Sequence, residues 1–432
     1  MAFLRTHYVE ELRGMNGKEV TLAGWAHEVR DVGKLRFVLL RDRTGIVQIT
    51  AKRGEAPDAV FELMSFPKET VIRVRGIVKE GGASKAGLEI MPSEAEILNP
   101  ITTKIPFELT GKVPADIDVR LDNRYVDLRR LETQAIFRIR SELAAAFREK
   151  LTELKFQEVS TPCIVAAATE GGTDLFPVQY FEKQAFLAQS PQLYKQLAVI
   201  GGMDRVFMTM PVFRAEKHNT VTHLNEITQM DAEMGFCDHE GAMDVLEAVF
   251  LHMLERTKYK CKAQLETVKS DILVPDKIVR HTYSSLVELL NKNGVDMKIG
   301  DDFTKENERK MGELLGEEAF FITEWPTKIK AFYAMPVKEK PELCNAFDLM
   351  YRGLEICSGT QRNHLPYLLV KQIIFHGINP ANFEFYVNAF RMGAPPHAGW
   401  SIGLERMAMQ VCRAANIREC ALFPRDRHRL TP

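Results

Sequence analysis

The hydrophobic period of this 432-residue chain is uniform only in its first quarter, and the change after it limits the folds open to it. To about residue 104, apolar residues alternate with polar ones, the period of two that belongs to strands. "EVTLAGWAHEV" alternates, and "KLRFVLLRD" and "GIVQITAK" join across the Arg43-Thr44-Gly45 turn as a hairpin. "TVIRVRGIVKE" sets Ile72, Val74 and Val78 on one side and Arg73 and Arg75 on the other. "GLEIMP" and "EAEILN" complete roughly five strands.

Five short strands fit a small Greek-key barrel, an OB-fold, expected over residues 1–104. Pro100, Pro106 and Pro114 punctuate the following stretch, and residues 105–130 read as a hinge. From residue 131 to 432 a larger domain is expected. It opens with Ile136, Ile139, Leu143, Phe147, Leu151 and Leu154 at three- and four-residue steps, an amphipathic helix. "FQEVSTPCIV" then runs extended, and Pro162 confines it to an edge or an interface, because proline cannot donate to a ladder. The remainder mixes strands and helices without βαβ regularity, so the fold class is α+β with an antiparallel sheet.

Composition excludes more than it selects. The net charge of −1 means that a nucleic-acid partner must be held by local basic patches. No apolar run approaches the ~20 residues of a membrane span, and the first residues lack a signal peptide's apolar core. The seven cysteines form no CxxC and no Cys/His ligand spacing, which fits reduced thiols in a cytoplasm and argues against structural zinc.

Neither GxxxxGK[ST] nor a helix-opening GxGxxG is present. A polar constellation is spread over five other places. They are "ATEGGTDLF" with Glu170; "QSPQLYKQ"; "FRAEKHNTVTHLNEITQMDAEM"; "NAFDLMYRGLEICSGTQRNH" with Asp348, Glu355, Ser358 and Arg362; and "AGWSIGLERMAMQVC" with Gly403 and Arg406. In the third, Ile227, Gln229, Asp231 and Glu233 share one parity, and Thr228, Met230, Ala232 and Met234 the other. Two strands joined by a polar loop are expected there, with one polar face. Each piece taken alone has a bland reading: Asp348 and Glu355 as an exposed strand edge, Arg406 as a helix cap, Arg214 and Glu216 as a surface ion pair worth under ~1 kcal/mol, His223 as structural. Together, arginines, carboxylates and a serine on strands suit an anionic substrate with magnesium, which prefers carboxylate and phosphate oxygens.

"FRAE…HLNEITQMDAEM", "GWSIGLER" and the helix ending in "VSTP" resemble motifs 2, 3 and 1 of the class II aminoacyl-tRNA synthetases. With "ATEGGTDLFPV", "LAQSPQLYKQ" and "GLEICSGTQRNH", the chain resembles, over essentially its whole length, the aspartyl-tRNA synthetases of archaeal and eukaryotic type. The resemblance implies an anticodon-binding OB-fold, a six- or seven-stranded antiparallel catalytic sheet, and a cytoplasmic homodimer formed partly through Pro162. It implies that L-aspartate and ATP give aspartyl-adenylate, with Mg2+ as cofactor, and that the aspartyl group passes to tRNA(Asp). It places Arg214 on both the aspartate carboxylate and the α-phosphate, and Arg406 on the γ-phosphate. Glu216 reads adenine, Thr222, His223 and Leu224 wrap ATP, and Gly403, Leu404 and Glu405 complete that site. Glu355 and Ser358, assisted by Asp348, hold magnesium. Arg362, aided by Lys195, receives the aspartate side chain, and Glu170, Gln192, Asp231 and Ser358 complete the amino-acid site. Ile227 stands where the family usually carries a phenylalanine against adenine.

In the barrel, Phe37 is either core or a stacking platform for an anticodon base. The resemblance favours stacking, with Gln48 and Glu89 beside it. Arg30, Lys34, Arg36, Arg41 and Arg43 are expected on phosphates. Two markers bear on whether tRNA(Asn) is also charged. His27 replaces a tryptophan common in discriminating relatives, while Lys85 is a residue associated with discrimination. The alternatives are an asparaginyl-tRNA synthetase, a catalytically inactive tRNA-binding paralogue, and an asparagine synthetase of the same fold. A neutral amide does not suit Lys195 and Arg362 together, no motif residue is missing, and the anticodon barrel is intact.

Overall fold

The computed structural model describes residues 4–81, 87–166, 175–217 and 220–432. The chain divides into two compact units between Gln134 and Ala135.

In the first unit, β1 (Glu19–Asp31), β2 (Leu35–Arg41), β3 (Ile46–Lys52), β4 (Val71–Glu80) and β5 (Leu88–Asn99) close a barrel in the order β1-β2-β3-β5-β4. The alternation read from the sequence is the burial pattern: Leu22, Val38, Leu40, Ile49, Ile72 and Val74 point inward, each 1% exposed or less. "GLEIMP" and "EAEILN" form the single strand β5, whose Pro92 pairs with Gly76 beside a bulge. The bulge absorbs a proline that a regular ladder would not accept. The proline-punctuated stretch belongs to this unit. Ile101 to Ile105 and Phe107 to Thr110 line a cavity with His27, Pro67, Lys68 and Glu69, and the Arg129 guanidinium lies 5.2 Å from the Trp25 ring centroid.

The second unit opens with the helix Leu131–Glu153, which begins four residues before the unit boundary. Its Ile139, Leu143, Phe147 and Leu151 are fully buried, each worth about 1.5–3 kcal/mol of apolar transfer. Strands β6 (Gln157–Glu158), β10 (Arg205–Phe213), β11 (Glu226–Gly235), β12 (Val279–Thr282), β13 (Ala319–Pro326), β14 (Leu343–Tyr351), β15 (Leu354–Gln361) and β16 (His397–Gly403) form one sheet, ordered β12-β13-β14-β15-β16-β11-β10-β6. A separate three-stranded sheet holds β7 (Ile164–Val165), β8 (Pro177–Tyr180) and β9 (Lys183–Leu187). The large sheet has eight strands rather than the expected six or seven. Its six inner strands are antiparallel, and each outermost strand adds a short parallel pair, β6 on β10 and β12 on β13. One face of the sheet is covered by the helix His239–Lys260, which packs on β14, β15 and β16. The other face carries the polar residues of β11.

Candidate active site

That polar face is laid out by strand register. Asp231 of β11 pairs with Ser401 of β16, Ser401 with Ser358 of β15, and Ser358 with Asp348 of β14. Four neighbouring strands therefore present a row with an acid at each end and two serines between. At ~4.8 Å per strand the row spans about 14 Å. Small side chains along its middle leave the floor open. A cavity of about 300 Å³ lies over Asp231, Ser401 and Ser358, while Asp348 is buried and is not part of its wall. Arg214, Glu216, Thr222, His223, Leu224, Ile227, Asp231, Glu355, Ser358, Arg362, Gly403, Glu405, Arg406 and Gln192 all reach this one cavity, although the sequence scatters them over more than 200 positions.

At the Asp231 end the acids and bases are paired. Lys195 Nζ lies 2.7 Å from Asp231 Oδ1 and 3.5 Å from Glu233 Oε2, and Ser401 Oγ donates to Asp231 Oδ2 at 3.0 Å. Arg362 grips Glu233 through Nε and Nη2, at 2.8 and 2.9 Å. Burial would raise the Glu233 carboxyl, but Arg362 and then Lys195 outweigh it and hold it low. Burial wins at Asp231, where the carboxyl is raised against the pull of Lys195. Lys195 is held by the acids of the site itself. It is fully buried and is not part of the cavity wall, so its charge holds Asp231 instead of reaching into the cavity. Glu233, noted in the sequence only for its parity, is what aims Arg362. Gln192 Nε2 and Gln229 Oε1 are buried in this wall without a hydrogen-bond partner among the described residues, the mark of polar atoms awaiting a ligand.

At the Asp348 end a bulge decides the geometry. Leu349 pairs with Cys357 and Met350 with Glu355, so Ile356 is the extra residue. The bulge returns Glu355 to the face of Ser358 and Asp348, which a regular ladder would deny it. Asp348 Oδ2 receives Lys330 Nζ at 2.6 Å, and its Oδ1, buried, has no partner among the described residues. Burial, with Glu355 adding to it, pushes the Asp348 carboxyl up to about 6. Glu355 is held low, because Arg406, Lys305 and Lys330 together outweigh burial. Lys330 was not found in the sequence. It lies in "PTKIKAF", with no recognisable motif around it, and only the fold brings it here.

Between these ends stands the β10–β11 loop. Asn225 closes it: Arg214 N donates to Asn225 O at 2.9 Å, and Asn225 Nδ2 donates to the carbonyls of Arg214 and Glu216. Arg214 is thereby fixed one residue beyond β10. Among the described residues its guanidinium makes no ion pair, which leaves it available to an anion. His223 Nδ1 sits 2.6 Å from Thr220 Oγ1, and its Nε2 is 3.4 Å from Arg406 Nη2. Burial and the Arg406 charge hold the His223 ring below its ordinary pKa. Arg406, in the first turn of the helix Leu404–Cys412, donates to Glu355 O at 3.2 Å. Two expected ATP contacts are otherwise engaged. Leu404 is 2% exposed and packs in the core beneath the sheet. Glu405 accepts from Arg140 and from the Thr228 backbone, so it braces the helix against β11 even though it touches the cavity. Gly403 has φ −78, which any residue adopts, and a Cβ there would meet only the Arg406 stem. Glu170 and Lys85 lie outside the described residues.

On the barrel, Phe37 pairs with Thr50, and Gln48 with Glu89, so the three expected base contacts share one outer face. Phe37 is half-buried and is not part of the barrel core. Glu89 is largely covered and accepts from Thr50 Oγ1 at 2.7 Å. His27 lies at a bulge in β1 and faces a different cavity, where Arg41 Nη1 is 2.7 Å from its Nδ1. The expectation of phosphate contact fails for Arg41, which is 2% exposed and bound to Glu69 at 2.7 Å. Arg36 lies against the Phe61 ring and pairs with Asp31 and Glu62.

An antiparallel sheet with an arginine on the motif-2 loop, another on the motif-3 helix, and a separate OB barrel defines a class II aminoacyl-tRNA synthetase. Residues 116–427 match the family of class II tRNA synthetases (D, K and N), and residues 20–98 match the OB-fold nucleic acid binding domain. The chain belongs to that D, K and N family of class II synthetases. It is 47% identical to the aspartate–tRNA(Asp/Asn) ligase of Methanocaldococcus jannaschii, over 100% of this chain and 99% of the relative. It is 49% identical to the Methanopyrus kandleri protein of the same name, over 96% and 97%. The crystal structure of asparaginyl-tRNA synthetase from Pyrococcus horikoshii with asparaginyl-adenylate superposes with a TM-score of 0.94 at 32% identity, covering 100% of both chains. The aspartyl-tRNA synthetase of Entamoeba histolytica gives 0.90 at 32% identity, over 99% and 93%. The backbone is thus common to both amino-acid specificities, and side chains must separate them. Among the described residues no helix is long and apolar enough to cross a membrane.

Proposed function

We infer that the chain is an aspartate–tRNA ligase that couples ATP cleavage to the charging of the aspartate tRNA and, like the relatives named for both substrates, of the asparagine tRNA. The observation that carries this reading is the row Asp231–Ser401–Ser358–Asp348, with Arg362 at one end, Arg406 at the other and Arg214 on the wall of the same cavity. An amino acid and a triphosphate laid along it meet where Arg214 stands.

Asp231 and Gln229 Oε1 receive the ammonium group, with Gln192 beside them. Arg362 offers the aspartate side chain Nη1, the nitrogen that Glu233 does not hold. Ile227 packs against adenine, Glu216 takes its amino group, and Arg406 with His223 receives the outer phosphates. The aspartate α-carboxylate is already ionised, so no general base is required. Arg214 brings it to the α-phosphorus and neutralises the charge that builds there, so catalysis is positioning plus electrostatic stabilisation. Magnesium fits at the Asp348 end: Glu355, Ser358 and the unpartnered Asp348 Oδ1 are oxygen donors of the kind it prefers. When bound it supplies charge neutralisation on the phosphates. Phe37, Gln48 and Glu89 read the anticodon.

The same reading makes the chain a homodimer. Pro162, four residues after β6, and Ile164 of β7 stand exposed, apolar surface that a second copy would cover. Sedimentation of an active monomer would remove this part. The activity is tested by ATP–pyrophosphate exchange with aspartate and with asparagine. Exchange driven by aspartate is expected; exchange driven only by asparagine, or none, overturns the reading.

A further inference from the structure

The acids at the phosphate end are already neutralised by the protein's own cations. Lys330 Nζ lies 2.6 Å from Asp348 Oδ2 and 3.7 Å from the Trp325 ring centroid, so a salt bridge and a cation–π contact hold it together. Its backbone is fixed as well, with Lys330 O 2.9 Å from His376 Nε2. On the other acid, Arg406 Nη1 is 3.8 Å from Glu355 Oε2 and 3.2 Å from Glu355 O. Lys305, the next cation facing Glu355, is itself bound to Glu308 at 2.6 Å. Two carboxylates and two cations sum to zero charge.

We propose that Lys330 and Arg406 are internal counter-ions that close the Asp348–Glu355 site to a divalent cation until a triphosphate arrives, so that metal and nucleotide enter together. The inference rests on the reading of the cavity as the ATP site. A bare divalent ion approaching this end meets no net attraction, and of the two Asp348 oxygens only Oδ1 is open to it, because Lys330 Nζ holds Oδ2. Among the described residues no group of three or more His, Cys, Asp or Glu side chains could hold a metal. Two carboxylates and a serine fall short of six oxygens, and magnesium gives up its water reluctantly. A triphosphate changes both terms. Its oxygens offer Lys330 and Arg406 a denser negative partner, which frees the carboxylates, and they supply the missing ligands themselves. Lys330 is thus a positioning residue for the acids before binding and a phosphate contact after it.

The test is Mn2+ binding, followed by the paramagnetic resonance of the free ion, with and without a non-hydrolysable ATP analogue. The wild-type protein is expected to bind Mn2+ at this site only when the analogue is present. Lys330→Met is expected to bind Mn2+ without nucleotide at least about tenfold more tightly than wild type, and Asp348→Asn in that background is expected to cancel the gain. Lys330→Gln, polar and closer in hydration, provides the same reading if the methionine variant does not fold. The inference is overturned if the wild type binds Mn2+ equally well with and without the analogue and Asp348→Asn removes both. It is also overturned if a folded Lys330 variant shows no gain. Wild-type ATP–pyrophosphate exchange separates the two levels: its absence refutes the ATP-site reading, while its presence together with nucleotide-independent Mn2+ binding refutes the counter-ion role alone.

Discussion

Gly399 and Glu233 face each other across β16 and β11, and a Cβ on Gly399 would stand 2.1 Å from Glu233 Oε2 and 2.4 Å from the Ala232 carbonyl oxygen. The glycine is therefore the seat of the carboxylate that aims Arg362. Its role is room, since both contacts are too close for any side-chain atom. Gly399→Ala is expected to displace Glu233 and loosen Arg362. Breaking one side of a buried ion pair costs about 3–5 kcal/mol. A loss of at least about a hundredfold in kcat/KM for aspartate, equivalent to ~2.7 kcal/mol, should appear in ATP–pyrophosphate exchange, with the KM for ATP little changed. Arg362→Leu should give the same defect without the clash. Near-normal exchange in both variants would show that the Glu233–Arg362 pair does not select the amino acid.

What the sequence could reveal divides along local and non-local lines. The barrel strands, the long helix and the polar face of β11 were legible because each is written in one continuous period. The motif residues were legible because short segments carry them. The burial of Lys195 was not legible, because its charge is visible in "QLYK" while its contact with Asp231 depends on β11 and β16 lying above it. Glu355 and Asp348 are seven apart, and nothing in the spacing announces the extra residue Ile356 that puts them on one face. Arg41 looked like a phosphate contact until Glu69, twenty-eight residues away, was found holding it.

Glu355→Ala should separate nucleotide use from amino-acid binding. The carboxylate is a donor at the phosphate end and the partner of Arg406, while the aspartate groups lie at the other end of the row. A fall of at least about a hundredfold in kcat/KM for magnesium-ATP is expected, with aspartate affinity by calorimetry within about threefold. Equal losses for both ligands would mean that the two ends are not independent.

The barrel carries its own pH signature at Glu69. Burial would raise this carboxyl, but the neighbouring His27 and the hydrogen bonds from Arg41 and Arg129 lower it to about 2 from an ordinary 4.5. The unfolded chain therefore binds a proton that the native barrel refuses. The resulting stability is complete above pH 4.5 and is lost as pH falls toward 2. At pH 3 about 1.5 of those pH units are gone, roughly 2 kcal/mol. The stability gap between wild type and Glu69→Gln, measured by urea unfolding, should shrink by about that amount from pH 6 to pH 3. A gap that stays constant would place the Glu69 carboxyl at its ordinary value.

The scope of tRNA charging turns on the barrel. The third anticodon base differs between the two tRNAs, cytosine offering an amino donor where uracil offers a carbonyl oxygen. His27 bears on it through its size. Its Nδ1 accepts from Arg41, which leaves the ring proton on Nε2, and its side chain is 12% exposed in a cavity that Pro67, Lys68, Ile105 and Phe107 also line. The ring leaves space that an indole would fill. The wild-type enzyme should therefore charge transcripts of the aspartate and asparagine tRNAs with kcat/KM values within about tenfold, or ~1.4 kcal/mol. His27→Trp should depress the asparagine tRNA more than the aspartate tRNA. The indole has no acceptor for Arg41, so this variant should also be less stable, and charging must be compared at a temperature where both proteins are folded. A wild-type preference of a hundredfold or more for the aspartate tRNA would mean that other groups around the barrel enforce discrimination and that the small ring at position 27 does not relax it.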